Sequence, residues 1–553
     1  MKGPEGFGEV TMRCLSVVRY ICVGCVFVVS FSDAVFAQGA VEGTATFWGD
    51  PGSGTQIQVA AHLDPTAPPD ATVLVSMPGG SYSIPVPDGS YYIATLVAQD
   101  DVFGQPRPED VLVWYDADSD GNRDFVTVSS GSTVTGVDID LGFVYVDIDA
   151  AGGGDGSSWA LAFNDLQSGM DLAVPGVDVW VAEGTYLPFP GTSRTEGFQV
   201  RTGVRVYGGF TGAETMRTER DWNAHPTILS GEIGDPGTTA DNAYNVVKAS
   251  FASPTAVLDG FTITAGRADG GPSSNYGAGV LASGGGVTLV NATVSGNFAS
   301  TYGGGVAAVS GGAVNAYNTS FVNNTAQTFD GGGYYADIAA DLPHTQNLVN
   351  CVFTGNSGVR GGGIALTGFA SPPYEPVMVN LSLSGNEALD GGGGLHTNSS
   401  QSIVFSNSIF WGNTSPVDAQ IAFLDGTMEP TVNYGIVQGG WGTGSSVFDV
   451  DPSFVGSDDL RLNNDSPAID AGDSLAVPLD EHDADGDHMT DGQVLKDRDF
   501  NPRFIDIVEV PDTGNANFGE PVVDMGAYEK QGLFLFADGF ESGDTTAWSS
   551  VAP

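Results

Sequence analysis

The segments NATVSGN (residues 291–297), NTSFVNN (318–324), NCVFTGN (350–356), NLSLSGN (380–386) and NSIFWGN (407–413) align without gaps, and asparagine opens and closes each one. Their closing asparagines lie 27, 32, 30 and 27 positions apart. Glycine triplets beginning at Gly303, Gly331, Gly361 and Gly391 interleave with them at intervals of 28, 30 and 30, which sets a period of about 29 residues. Inside each segment the pattern has period two, the signature of a strand. Val294, Phe321, Phe353, Leu383 and Phe410 form one column, with Ala292, Thr319, Cys351, Leu381 and Ser408 two residues earlier, and both columns are expected to face inward. Thr293, Ser320, Val352, Ser382 and Ile409 between them should face outward. A unit of this length cannot close a core alone and is too long for one strand, so it reads as one coil of a solenoid.

Stacked coils bring equivalent residues within about 4.8 Å of one another. A column of asparagines can then hydrogen-bond along the stack, because the amide carries both donors and an acceptor, while tolerating a left-handed turn. The glycine triplets supply the other sharp corner. Val306, Tyr334, Ile364 and Leu395 follow the glycines and restart the inward side.

Working outward from the repeat, SSWALAFNDLQ (157–167), VYGGFTGAETMRTERDW (206–222), TILSGEIG (227–234), LDGFTITAG (258–266), LRLNNDSPAIDAGD (460–473) and VDMGAYE (523–529) complete a larger pattern. The coils resemble a right-handed parallel β-helix of the pectin-lyase-like kind, and the flanking motifs are similar to those of bacterial exported proteins of the choice-of-anchor Q group. The resemblance covers about residues 145 to 530 and implies architecture and export, with no shared reaction. The fold class expected is all-β, a right-handed parallel β-helix preceded by a small β-sandwich.

The flanks divide accordingly. Residues 1–37 read as a signal peptide, with basic Arg13 and Arg19 preceding an apolar run of about 12 residues, too short to span a bilayer, and small residues before a cleavage site after Ala37. Residues 41–145 alternate in short strands between Gly, Pro and Asp turns and are expected to form the sandwich. Residues 146–530 form the β-helix and its closing region, entered by a helix in which a serine caps a face of Trp159, Phe163, Leu166 and Met170. Residues 531–553, with FADGFESGDTTAW, resemble a sorting or surface-retention tail. Three of the four cysteines lie in the first 30 residues, which leaves Cys351 without an internal partner.

Composition bounds the partners. Eighteen Lys plus Arg against 67 Asp plus Glu give a formal charge of -49, which repels nucleic acid and anionic membranes. With 41% hydrophobic and 10% aromatic residues the chain is foldable. A monomer is expected, secreted or held at the outer cell surface, with no transmembrane span.

Two aspartate-rich loops could take calcium. Asp116, Asp118, Asp120 and Asp124 alternate around Gly121 like the first half of a calcium loop, although Thr127 holds the place of the closing glutamate. Asp483, Asp485, Asp487 and Asp491 form the second cluster. The pectin-lyase-like resemblance implies a polysaccharide lyase or glycoside hydrolase as an alternative function. Between residues 268 and 460 the single Lys or Arg is Arg360, so a polyanionic substrate would meet a wall of the wrong sign. The residues before three of the glycine triplets are Asp330, Arg360 and Asp390, which in register form a column whose carboxylates are two rungs, about 9.6 Å, apart. That is just past the span of an inverting glycosidase pair, and Arg360 between them would hold both acids ionised, so a charge ladder is favoured over an acid/base pair. Trp411 and Tyr334 are the candidate sugar-stacking residues, with Tyr335 and Trp441 beside them. Trp411 is the stronger, because Phe410 takes the inward column. The expected function is a non-enzymatic exported or cell-surface scaffold that binds glycan or adheres to a surface partner.

Overall fold

A computed structural model describes residues 38–48, 56–65, 69–76, 79–97, 111–115, 124–188, 193–250, 252, 254–337, 346–368, 376–400, 403–424, 426–480, 493–508, 510–516 and 521–532. The expected signal peptide, nearly all of the tail, and seven of the eight candidate calcium ligands, Asp116, Asp118, Asp120, Asp483, Asp485, Asp487 and Asp491, lie outside them.

The repeat winds as a right-handed parallel β-helix. Each coil crosses three faces. In the coil that begins at Val280, strand Val280–Ser283 lies on the first face, Gly286–Val290 on the second and Thr293–Ser295 on the third, and Phe298–Ala299 joins a narrow fourth sheet. Every strand pairs in parallel with its equivalent in the next coil: Val294 with Phe321, Phe321 with Phe353, Phe353 with Leu383, Leu383 with Phe410. The expected inward columns are there: all ten of these residues are fully buried. Phe321 and Phe353 stack with ring centroids 4.5 Å apart and planes 5° off parallel.

Both asparagine files become hydrogen-bonded ladders. The opening asparagines turn between the second and third faces with positive φ, 51° at Asn291 and 53° at Asn350, where a short polar side chain is tolerated. Their amides link Asn318 to Asn291 (3.3 Å), Asn350 to Asn318 (2.9 Å), Asn380 to Asn350 (2.9 Å) and Asn407 to Asn380 (3.0 Å). The closing file runs Asn297, Asn324, Asn356, Asn386, Asn413 with amide contacts of 2.8–3.0 Å. At the glycine corner the middle residue of a triplet allows close approach: a Cβ on Gly332 would sit 2.4 Å from the Ser357 carbonyl oxygen.

One register differs from expectation. Residues 391–394 are four glycines, and Ile364 pairs with Leu395, so the triplet equivalent to Gly361 begins at Gly392. A bulge between Gly358 and Arg360 absorbs the extra residue and sets Arg360 opposite Gly391. The entrance helix also starts later. Asp165, not a serine, caps an α-helix over Leu166–Leu172, accepting from the N–H groups of Gln167 and Ser168, while Trp159 sits in a separate short 3-10 turn.

At the N-terminal end, strand Gln38–Trp48 pairs antiparallel with Gly79–Pro87, and a second sheet holds Ala71–Ser76, Gln56–His62, Gly89–Val97, Val111–Trp114 and Phe125–Val128. Strand Ile139–Val146 pairs with Gln38–Trp48 on one side and with Val177–Ala182 of the β-helix on the other. The sheet therefore runs without a break into the second face. One aromatic cluster, with Trp180 and Phe210 stacked 4.8 Å apart and Phe143 4.1 Å from Trp180, spans the sequence on both sides of residue 145.

The closing region, about 450–530, lies along the outer side of the third face. Ser382 Oγ accepts from the Ala527 N–H at 3.0 Å, Val352 packs with Leu460 and Ala527, and Ile409 packs with Leu462 and Met525. This is why the outward residues Val352, Ser382 and Ile409 are buried, whereas Thr293 and Ser320 in earlier coils are half-exposed. At its centre Arg503 is fully buried, with Nη2 2.8 Å from the Ala527 carbonyl and Nη1 3.5 Å from Glu529 Oε2. Asp497 and Glu529 are buried beside it, and burial pushes both carboxyls above their ordinary range.

Candidate functional site

On the first face the outward residues stack in register as Leu281, Ala307, Tyr335, Ala365 and His396. Ala307, Tyr335 and Ala365 stay small or flat because the left-handed glycine that opens each of these triplets presses on them: a Cβ on Gly361 would meet that of Ala365 at 3.0 Å. The turn residues just before the glycines are thereby stacked along one edge of this face.

Tyr302 lies at the first of these turns. Its ring stacks on Phe329 (centroids 4.8 Å apart, planes at 18°) and packs on Tyr335 (4.6 Å), whose hydroxyl meets Thr367 Oγ1 at 3.0 Å. Phe329 is 43% exposed, so one side of the stack is open to solvent. In the next two coils Asp330 and Arg360 pair bidentately, Nε to Oδ1 at 2.9 Å and Nη2 to Oδ2 at 2.8 Å. Asp330 is buried and Arg360 is about one-third exposed, so the pair is anchored on the acid and open on the base. Arg360 Nη1 makes no hydrogen bond among the described residues and remains a donor. Asp337, half-buried at the far end of the strand that carries Tyr335, has its carboxyl raised above the ordinary value by burial.

The charges decide what this edge can do. The Asp330 hydrogen bonds raise the Arg360 pKa still further, against the effect of its partial burial, so Arg360 is held protonated. A proton-abstracting base needs the reverse. His396 is buried and kept neutral by desolvation first and the Arg360 charge second, out of reach of a substrate. Burial pushes the Tyr335 hydroxyl up to about 12. The edge offers an aromatic platform, a fixed cation with a free donor and carboxylate acceptors. It offers no poised acid and base pair.

Three sequence expectations change. Asp390 does not complete an Asp, Arg, Asp column, because the bulge displaces it by one residue; it is exposed, and only its field reaches Arg360. Tyr334 is not a ligand platform: it is fully buried and its hydroxyl donates to the Val314 carbonyl at 2.6 Å. Trp411 does point away from the core, but it is half-buried against a cluster that includes Ile409, Ile436 and the closing-region residues Leu462 and Met525. Asp124, the one described member of the calcium candidates, is half-exposed and bonds through its N–H to the Tyr115 carbonyl at 2.9 Å. Cys351 is buried and its thiol is pushed up to about 12, as an inert inward residue should be. Phe329 was missed. Its signal was its place one residue before Asp330, since every residue at these turns lies on the same edge.

Removing the Arg360 side chain leaves Asp330 buried without its cation. Arg360→Ala is therefore expected to cost about 1–2 kcal/mol, read as a lower midpoint in thermal or urea denaturation.

The three wound parallel faces define the chain as a right-handed parallel β-helix. No family model matches it, and no curated protein matches it. Among solved structures it is similar to pectate lyase Pel9A, at 12% identity and a TM-score of 0.34, over 70% of this chain and 96% of that one. A rhamnogalacturonan lyase is similar at 11% identity and a TM-score of 0.25, over 57% of this chain and 90% of that one. Among the described residues no helix is long and apolar enough to cross a membrane.

Proposed function

We propose that this chain is an exported or surface-held scaffold of the choice-of-anchor Q group that binds a neutral glycan along the edge of its first face without cleaving it. The carrying observation is the Phe329 and Tyr302 stack, open on one side, next to the fixed guanidinium of Arg360. Sugar rings present flat C–H faces to an aromatic ring and vicinal hydroxyls to a planar donor, and both lie here on rigid coils. The charge of -49 favours a neutral chain over a uronate polymer. A lyase is disfavoured along this edge because Arg360, the single Lys or Arg between residues 268 and 460, is locked in an ion pair.

The test is a panel of neutral and acidic polysaccharides presented to the purified protein. Retention on a neutral polymer with no new chain ends is expected, and Phe329→Ala should weaken that retention about tenfold at unchanged melting temperature. New reducing or unsaturated ends would establish the enzymatic alternative instead. Retention unaffected by Phe329→Ala would move the site elsewhere.

A further inference from the structure

The closing region holds a second constellation, far in sequence from the coils' glycine corners. Asp470, in the SPAIDAGD stretch, is fully buried, and oxygens of Asp470, Asp506 and Asp512 all lie within 4.8 Å of one another. Backbone bonds fix Asp470 in place: its N–H donates to Asp524 Oδ1 at 2.8 Å, and its carbonyl accepts from Thr513 at 2.9 Å and Gly514 at 3.2 Å. Oδ2 of Asp470 accepts from the Ile507 N–H at 3.3 Å. Oδ1 is buried and, among the described residues, meets no hydrogen-bond donor.

An orphan carboxylate oxygen in the interior is costly, and two further carboxylates facing it make the cost larger. Asp506 and Asp512 are exposed and can relax into water, but Asp470 cannot. Among the described residues no lysine or arginine pairs with any of the three. Burial, reinforced by Asp506 and Asp512, pushes the Asp470 carboxyl up to about 7. Such a group is completed either by a proton or by a cation, and the two exposed carboxylates converging on it favour the cation. We infer that Asp470, Asp506 and Asp512 form a binding site for a hard divalent cation of the calcium type, with Asp470 as the buried anchor and the two exposed carboxylates closing over the ion. The geometry is compatible: oxygens on opposite sides of a calcium ion at about 2.4 Å are separated by at most about 4.8 Å. Water on the open side would complete a coordination of about six to eight. The site is distinct from both aspartate-rich loops, and its ligands are too far apart in sequence to form a motif.

The probe is calcium chloride, titrated calorimetrically into chelator-stripped full-length protein. The Asp506→Asn, Asp512→Asn double variant changes only exposed side chains, so the fold should persist. The variant is expected to bind one equivalent fewer than the parent. Its melting temperature should equal or exceed the parent's in chelator, where repulsion has been removed, and fall below it in millimolar calcium. Equal stoichiometry in the two proteins, no calcium binding by the parent, or the same order of melting temperatures in chelator and in calcium would each overturn the assignment.

Discussion

Arg503→Met should destabilise the chain by about 3–5 kcal/mol, the cost of removing the cation from a buried ionic cluster. Methionine fills most of the volume, so the loss comes from charge. Arg503 lies 3.5 Å from Glu529 Oε2 and donates to the carbonyls of Gly526 and Ala527. The same Glu529 oxygen accepts from the Asp524 N–H, and Asp497 Oδ2 accepts from the Glu529 N–H, so several buried acids share one guanidinium. Equilibrium denaturation in chelator checks the magnitude. The pH dependence checks the cause. Burial raises Glu529 and Asp497 above their ordinary values, so each contributes stability that is fully present below the unfolded carboxylate pKa of about 4 and is lost as pH rises through the folded value. The parent should thus be less stable at pH 8 than at pH 5, and the variant's deficit should widen at the higher pH. A deficit independent of pH would mean that packing, not charge, is what Arg503 supplies.

Asn356→Ala should cost about 3–4 kcal/mol, because one truncation orphans several interior groups at about 1–3 kcal/mol each. Asn356 Oδ1 accepts from both the backbone N–H (3.0 Å) and the side-chain amide (3.0 Å) of Asn324, and Asn356 Nδ2 donates to the Phe321 carbonyl at 2.8 Å and to Asn386 Oδ1 at 2.9 Å. All these groups are buried in the stack. Urea unfolding of the variant should show a lower midpoint with little change in slope. A cost below about 1 kcal/mol would show that the coils are held by their apolar columns alone.

The coils were legible because two independent signals coincide at the same spacing. Asparagines mark the corners, and the alternation between them assigns Phe321 and Phe353 inward without reference to any other part of the chain. Asp330 and Arg360 were legible as neighbours for the same reason. The error at Asp390 arose where four glycines in a row admit two alignments, and only hydrogen bonding selects between them. Tyr334 carried two readings, an inward column and a sugar platform, and its place after the glycines favoured the first. Trp411 was placed on the correct side, but its cover comes from the closing region, and no local pattern announces a contact such as Ala527 with Ser382, 145 residues away. The entrance helix failed on a cap, since Asp165 outcompeted the upstream serines. The Asp470 cluster joins residues 36 and 6 positions apart, which no spacing rule would gather.

The two amide files have a direction, and the directions oppose. In the opening file each Nδ2 reaches back toward the preceding coil, from Asn318 to Asn291 and finally from Asn291 to Asp259 Oδ1 at 2.9 Å. In the closing file each Nδ2 reaches forward, from Asn297 to Asn324 and finally from Asn413 to Gln420 Oε1 at 2.7 Å. The side-chain dipoles of the two rows therefore oppose one another along the axis. Each row still needs a terminator of the matching kind. Asp259, acceptor only and neutralised by Arg220 at 2.6 Å, ends one row where an amide would demand yet another acceptor, and Gln438 ends the other.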